Sequence, residues 1–210
     1  MRYLAIGGMT IDDVVLDDGT YHAAIPGGNA LYATLGARLW SDRVGLMSFV
    51  GSDHPPAVLE RLEACGIDVS LVARLEMPSI HLWILYEPDG RRQIFYQQRS
   101  SHLSALAGVA ERGASRVRDA FPNVRALHVG ALPVAVQEPI VQVFSPLGLQ
   151  LSVDSIEAHG SVGGDLHAYR GHAVLQAATV FLPSLEEFDV LRGDLPEDDA
   201  AWSLAGGYLR

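Results

Sequence analysis

Pro26-Gly27-Gly28-Asn29-Ala30-Leu31-Tyr32-Ala33-Thr34-Leu35-Gly36-Ala37-Arg38-Leu39-Trp40 sets two adjacent glycines directly before a strongly apolar helix. Neither Gly27 nor Gly28 carries a Cβ, so backbone and ligand can approach closely there. Asn29 is of the residue type that caps a helix start. A polar ligand could rest against the free N–H groups of such a terminus. An ordinary loop-to-helix turn has the same appearance, so the neighbouring segments decide between the two readings.

On the N-terminal side, Tyr3 to Ile6 reads as a short buried strand ending at Gly7-Gly8. Val14–Leu16 and Tyr21–Ile25 flank Asp17-Asp18-Gly19-Thr20, an Asp-Gly hairpin signal. On the C-terminal side, Val44 to Val50 is a continuous apolar strand closed by Gly51-Ser52-Asp53. Pro55 and Pro56 suit the first turn of a helix with Val58, Leu59, Leu62 and Cys65 as its apolar face, and Gly66 suits its C-terminal stop. Ile80–Tyr86 and Gln93–Tyr96, joined by Pro88-Asp89-Gly90, make a second hairpin.

The chain then alternates: helix over Leu103–Ala120, strand over Ala126–Val129, helix over Val136–Phe144, and strand over Leu149–Val153 ending at Asp154. A helix around Asp165–Ala177 leads to a strand over Thr179–Leu182, with further helices at Ser184–Leu191 and Glu197–Leu209. Strands alternating with helices imply a mainly parallel sheet with helices on both faces. The two hairpins, near 13–25 and 80–96, fall outside that repeat and imply a small β lid over the strand C-terminal ends, within one domain spanning 1–210.

With 49% apolar and 19% charged residues among 210, the sequence can bury a sizeable core. A net charge of −10 argues against a nucleic-acid surface and against an anionic membrane. Cys65 is the only cysteine, which excludes an intrachain disulfide and a cysteine zinc site and fits a cytoplasmic protein. No lysine occurs; all 15 basic residues are arginines. There is no Gly-x-x-x-x-Gly-Lys phosphate loop, no Gly-x-Gly-x-x-Gly fingerprint and no Gly-x-Ser-x-Gly elbow. His159, His167 and His172, near Asp154, Glu157 and Asp165, lack the spacing that puts two metal ligands on one helical turn.

The order of these segments resembles the ribokinase-like (PfkB) carbohydrate kinases. The resemblance rests on Gly7-Gly8-Met9-Thr10-Ile11-Asp12, the lid hairpin, Pro26-Gly27-Gly28-Asn29-Ala30, and Val44 through Asp53. It continues through Cys65-Gly66-Ile67-Asp68, Glu87-Pro88-Asp89-Gly90-Arg91-Arg92 and Phe181-Leu182-Pro183-Ser184-Leu185-Glu186-Glu187. It implies a three-layer α/β/α body with a small β lid. It also implies transfer of the γ-phosphate of ATP, with Mg²⁺, to a hydroxyl of a sugar or sugar-like small molecule.

By this resemblance Asp12 binds substrate hydroxyls, with Thr10 a second polar contact, although Asp12 and Asp13 also read as solvated residues entering a hairpin. Gly27 and Gly28 match the family's substrate-side Gly-Gly motif. Where many members carry an Asn later in that motif this chain has Leu31 and Tyr32, which leaves Asn29 as the candidate polar contact. Ser184 and Glu187 match an Asn-x-x-Glu motif whose Glu organises Mg²⁺ through water, and Ser-x-x-Glu is equally a capping box.

The family's late Gly-Ala-Gly-Asp run, with its anion hole and catalytic base, has no counterpart in these 210 residues. The resemblance therefore covers the N-terminal two-thirds of such a kinase, and no catalytic residue is assigned. The expectation is a chain inactive by itself, with a non-catalytic ligand- or partner-binding remnant as the alternative. Exposed lid strands suggest a homodimer through the lid.

Overall fold

A computed structural model describes residues 2–97, 102–155, 169 and 173–192. Six parallel strands form the central sheet: β1 (Tyr3–Ile6), β4 (Val44–Val50), β5 (Ile67–Arg74), β8 (Ala126–Val129), β9 (Gln150–Asp154) and β10 (Val180–Leu182), in the order β10-β9-β8-β1-β4-β5. A separate four-stranded sheet joins β2 (Thr10–Val15), β3 (Tyr21–Gly27), β6 (Ile80–Tyr86) and β7 (Arg92–Tyr96) in the order β3-β2-β6-β7. The two hairpins read from sequence are both present. They are fused by a parallel β2–β6 pairing, Thr10 opposite Ile80 and Asp12 opposite Leu82, that no local turn signal could announce.

The helices are α1 (Asn29–Arg38), α2 (Pro56–Ala64), α3 (His102–Ala120), α4 (Val134–Phe144), α5 (Ala173–Ala177) and α6 (Leu185–Arg192). β4 is buried along its whole length, and its alternate residues divide between two cores. Leu46 and Val50 join Ala30, Leu31 and Leu62 beneath α1 and α2, while Met47 and Phe49 join Leu106, Val109 and Ile140 beneath α3 and α4. A strand apolar on both sides is what a sheet covered on both faces requires.

Several boundaries differ from the sequence reading. β2 begins at Thr10, so Thr10 and Asp12 lie within a lid strand instead of ahead of the hairpin. β5 has no counterpart in the sequence reading, although Ile67, Val69 and Leu71 alternate; as an edge strand it carries only short apolar signals. α1 stops at Arg38 and leaves Leu39 and Trp40 outside it, both strongly exposed. Cys65 is exposed and does not belong to the apolar face of α2. Most of the helix read over 165–177, and all of that over 197–209, lie outside the described residues. Among the described residues no helix is long and apolar enough to cross a membrane.

Gly28, and not Asn29, occupies the capping position of α1. Its φ is +103°, and a Cβ there would sit 2.3 Å from the Gly8 carbonyl oxygen. Gly28→Ala should therefore lower stability by about 2–4 kcal/mol in urea denaturation, from left-handed strain plus a backbone clash. Gly36→Ala, in the same helix with nothing within 4 Å of the added carbon, should raise it by about 0.5–1 kcal/mol.

Candidate functional site

The loop after β1 runs directly into the lid strand β2, the Gly51 N–H after β4 donates to Ser79 Oγ just before β6, and the Gly27–Gly28 turn joins β3 to α1. Asn29 fixes this junction. Its side-chain Oδ1 accepts from the Gly8 N–H at 2.9 Å, and its Nδ2 donates to the Ala131 carbonyl. The amide thus bridges the loop after β1 to the loop after β8. It does so because Gly7 and Gly130 lack side chains: a Cβ would lie 2.2 Å and 2.7 Å from Oδ1. The side chain offered as a substrate contact is engaged by the protein's own backbone.

Asp12 is buried, and its carboxylate lies against Gly27, where a Cβ would stand 1.8 Å from Oδ2 and 2.8 Å from Thr10 Oγ1. Gly27 is therefore required for the close approach of Asp12. Asp12 Oδ1 and Thr10 Oγ1 are both buried and have no hydrogen-bond partner. A buried carboxylate oxygen left unpaired costs about 1–3 kcal/mol or more, a cost removed when a hydroxyl donates to it. Burial pushes the Asp12 carboxyl above its ordinary value, opposed by the adjacent Thr10 hydroxyl. Asp12, Thr10 and Gly27 thus come together; Gly28 packs against Gly8 and Met9 beside them.

Asp13, by contrast, is structural. It accepts from the Ala24 N–H at 2.9 Å and from Gln97 Nε2 at 2.7 Å. The first bond holds Ala24, at φ +52°, beside the irregularity between β2 and β3. The base of the lid is tied to the sheet through Asp53, which accepts from the Ser79 N–H at 2.7 Å and pairs with His81 Nε2 at 3.0 Å. Burial opposes the Asp53 charge, but these bonds prevail and hold its carboxyl at about 2.

A second polar group forms at the ends of β9 and β10, apart from Asp12. Glu187 Oε2 accepts from the Ser184 N–H at 2.7 Å, and the Glu187 N–H donates to Ser184 Oγ at 3.2 Å. This is the reciprocal capping box that Ser-x-x-Glu spells. The same Oε2 also accepts from Ser155 Oγ at 2.6 Å, so the buried Glu187 is locked to the end of β9. Asp154, the last residue of β9, is pushed up to about 6 by burial and by the Glu187 charge. Among the described residues no arginine or histidine is ion-paired with either acid.

Among the described residues these two carboxylates have no cationic partner, and carboxylate oxygens are the ligand type that a hard cation such as Mg²⁺ takes. Among the described residues no set of three or more such side chains gathers. A cation here would complete its shell with water and phosphate oxygens, the usual habit of Mg²⁺.

Solved structures share this overall fold. A PfkB protein from Polaromonas sp. JS666 superposes with a TM-score of 0.71 at 19% identity, over 100% of this chain and 74% of that one. The fold is ribokinase-like. An E. coli protein assigned as a ribokinase II, in complex with ATP and Mg²⁺, gives a TM-score of 0.71 at 16% identity, over 97% of this chain and 68% of that one. A nucleoside kinase from Burkholderia thailandensis in complex with inosine gives 0.68 at 15% identity, over 90% and 62%. In sequence, a cytidine kinase of Thermococcus kodakarensis is 28% identical over 131 residues, 62% of this chain. The matched region spans 43% of that curated relative. No family model matches the sequence. Asp12 lies on β2 of the small sheet and the Gly27–Gly28 turn joins that sheet to α1, while Asp154 ends β9 and Glu187 lies in α6, which follows β10.

The raised Asp154 has a consequence for stability. From its ordinary value of 3.8 up to about 6, the folded chain holds a proton that the unfolded chain has released. Stability therefore falls as pH rises through that window and stays lowered above it. Asp154→Asn should be the more stable protein at pH 7.5, by about 1–2 kcal/mol once solvent screening of this half-buried group is allowed for, with the difference vanishing toward pH 4. Thermal denaturation of both proteins at the two pH values measures this.

Proposed function

We propose that this chain forms the acceptor-binding side of a PfkB-type kinase, which transfers the γ-phosphoryl group of ATP to a hydroxyl of a sugar or sugar-like small molecule. The observation that carries this reading is the buried, unpartnered Asp12 Oδ1 beside the unpartnered Thr10 hydroxyl, at the lid-covered end of a ribokinase-like sheet. An ionised carboxylate accepts hydrogen bonds only, so it selects a ligand that presents donors, such as adjacent hydroxyls. Thr10 can donate or accept beside it, which would fix the orientation of a diol. Gly27 keeps the carboxylate close to the backbone turn, and Asn29 holds that turn in register with the ends of β1 and β8.

Asp154 and Glu187 support a cation-attracting site on the nucleotide side. ATP with Mg²⁺, when bound, would supply the phosphoryl group and neutralise its charge. Glu187, held by Ser155 and Ser184, would orient the cation's water shell. A base for the attacking hydroxyl is not identified, because these residues contain no Gly-Ala-Gly-Asp. We therefore read the 210-residue chain alone as binding acceptor without transferring phosphate; a ligand-binding remnant of a kinase would behave in the same way. A cytoplasmic setting belongs to the same proposal, as befits the single, exposed Cys65.

Calorimetric titration with ribose, fructose and a nucleoside should show binding of at least one of them. Asp12→Asn should weaken that binding by about tenfold or more. A coupled assay with ATP and Mg²⁺ should show no turnover by the chain alone; phosphorylated product would overturn the non-catalytic reading. Failure of all three acceptors to bind would overturn the acceptor site itself.

Lid-mediated dimerisation is also proposed. On the lid face opposite Asp12, Tyr21 stacks on Trp83 with centroids 5.7 Å apart, and Phe95, opposite Trp83 in the register, is exposed. Sedimentation equilibrium should show a concentration-dependent dimer that Phe95→Arg abolishes; a monomer at all concentrations would remove this reading.

A further inference from the structure

The loop after β4, residues 51–54, grips residues 75–79, the hinge that leads from β5 into the lid strand β6. The Gly51 N–H donates to Ser79 Oγ at 3.0 Å, and the Ser52 N–H donates to the Met77 carbonyl at 2.9 Å. Asp53 accepts from the Ser79 N–H at 2.7 Å and pairs with His81 Nε2 at 3.0 Å. Arg74 Nη1 donates to the carbonyls of Gly51 and His54 at 3.1 and 3.3 Å. The two segments touch closely: a Cβ on Gly51 would stand 2.2 Å from the Ser79 nitrogen and 2.4 Å from the Met77 oxygen. β6 passes its position on to β2 through a pairing that runs from Thr10 opposite Ile80 to Val15 opposite Leu85.

His54 closes the gripping loop and is only 1% exposed. A neutral imidazole has one N–H donor and one acceptor nitrogen. Among the described residues neither ring nitrogen of His54 has a hydrogen-bond partner. A buried polar group in that state favours any rearrangement that lets water reach it. A proton strengthens that tendency, since the ring then has two donors, a full charge and still no acceptor. The charged and titratable groups around it are Asp53 of its own loop, Arg74 at the end of β5 and His81 on β6. α2, which follows, has no acidic residue in its first turn. Burial above all, with Arg74 and His81, holds His54 below its ordinary value, against the Pro55 carbonyl and Asp53, which favour the proton.

We propose that loop 51–54 is a proton-operated latch on the lid: a proton taken up by His54 drives the ring toward water and releases the hinge at 75–79. With the ring neutral, the loop keeps its bonds to Met77, Ser79 and His81. With the ring charged, it is satisfied only when the loop is displaced. The closed state binds the proton more weakly than the open one, so it loses ground as pH falls below the ordinary histidine value of 6.5. One proton changes the ratio of open to closed by at most about tenfold per pH unit. Asp53, held at about 2, stays charged throughout that range, and a proton on His81 would only tighten their pair. A loosening in acid therefore belongs to His54. The released strand takes Thr10 and Asp12 with it through β2, whatever ligand they bind.

Amide hydrogen exchange of the whole chain at pH 7.5 and 5.5, corrected for the chemical exchange rate, tests the latch. Protection of the Ser79, Ile80 and Leu82 amides should fall by up to about tenfold, while that of the β1 amides changes by less than about twofold. His54→Leu, which removes the polar ring, and His54→Gln, which stays polar but takes no proton, should each abolish the fall, and either one that folds suffices. His128→Leu, at a histidine of the central sheet, should leave the fall in place. A fall that survives in the His54 variants, or one that His128→Leu removes, overturns the latch. So does lid protection that is equal at the two pH values, or a loss as large in β1 as in the lid.

Discussion

The carboxamide of Asn29 is the contact on which the arrangement of the site depends. Its two ends tie the loop after β1 to the loop after β8, and they do so from the first residue of α1. Loops at strand ends have backbone groups that the sheet does not satisfy, and a buried backbone group without a partner is costly. One side chain here satisfies a donor and an acceptor from two different loops. It can reach them only because Gly7 and Gly130 leave space and because Gly28 adopts a backbone conformation closed to other residues. Three glycines and one asparagine, scattered over more than 120 residues, thus act as one joint.

From that joint the polar residues divide by role. Asp13 and Asp53 are engaged by the protein's own backbone and by the Gln97 and His81 side chains, shaping β3 and anchoring the lid. Asp12, one residue from Asp13, projects to the other face of β2 and keeps an unpaired oxygen. Alternation along a strand separates two adjacent carboxylates into a structural one and a ligand-seeking one. A comparable division appears at Glu187, where the capping bonds that start α6 also hold a negative charge in place beside Asp154.

The α/β alternation was legible because each strand and helix carries its own periodic signal. The whole-length burial of β4 follows from Val44-Gly45-Leu46-Met47-Ser48-Phe49-Val50, and the capping box of α6 follows from Ser184 and Glu187. β5 escaped because an edge strand needs little apolar sequence, and the exposure of Cys65 escaped because periodicity gives a face without saying what covers it. The role of Asn29 escaped for a different reason: a residue beside a helix start reads as a cap, and its true partners are 21 and 102 residues away.

The sequence by itself determined the order of elements, the two hairpins, the parallel sheet and the glycine pair before α1, because turns, caps and hydrophobic periods are local properties. It also brought Asp12, Thr10 and Gly27 into consideration together through their resemblance to a family pattern. Only the tertiary structure decided that the hairpins fuse through β2 and β6, that Gly27 yields its space to the Asp12 carboxylate, and that Asn29 bridges two loops. These facts rest on pairings between segments distant in the chain, and such contacts are settled by which groups can be buried and satisfied at once, a condition no short stretch of residues can express.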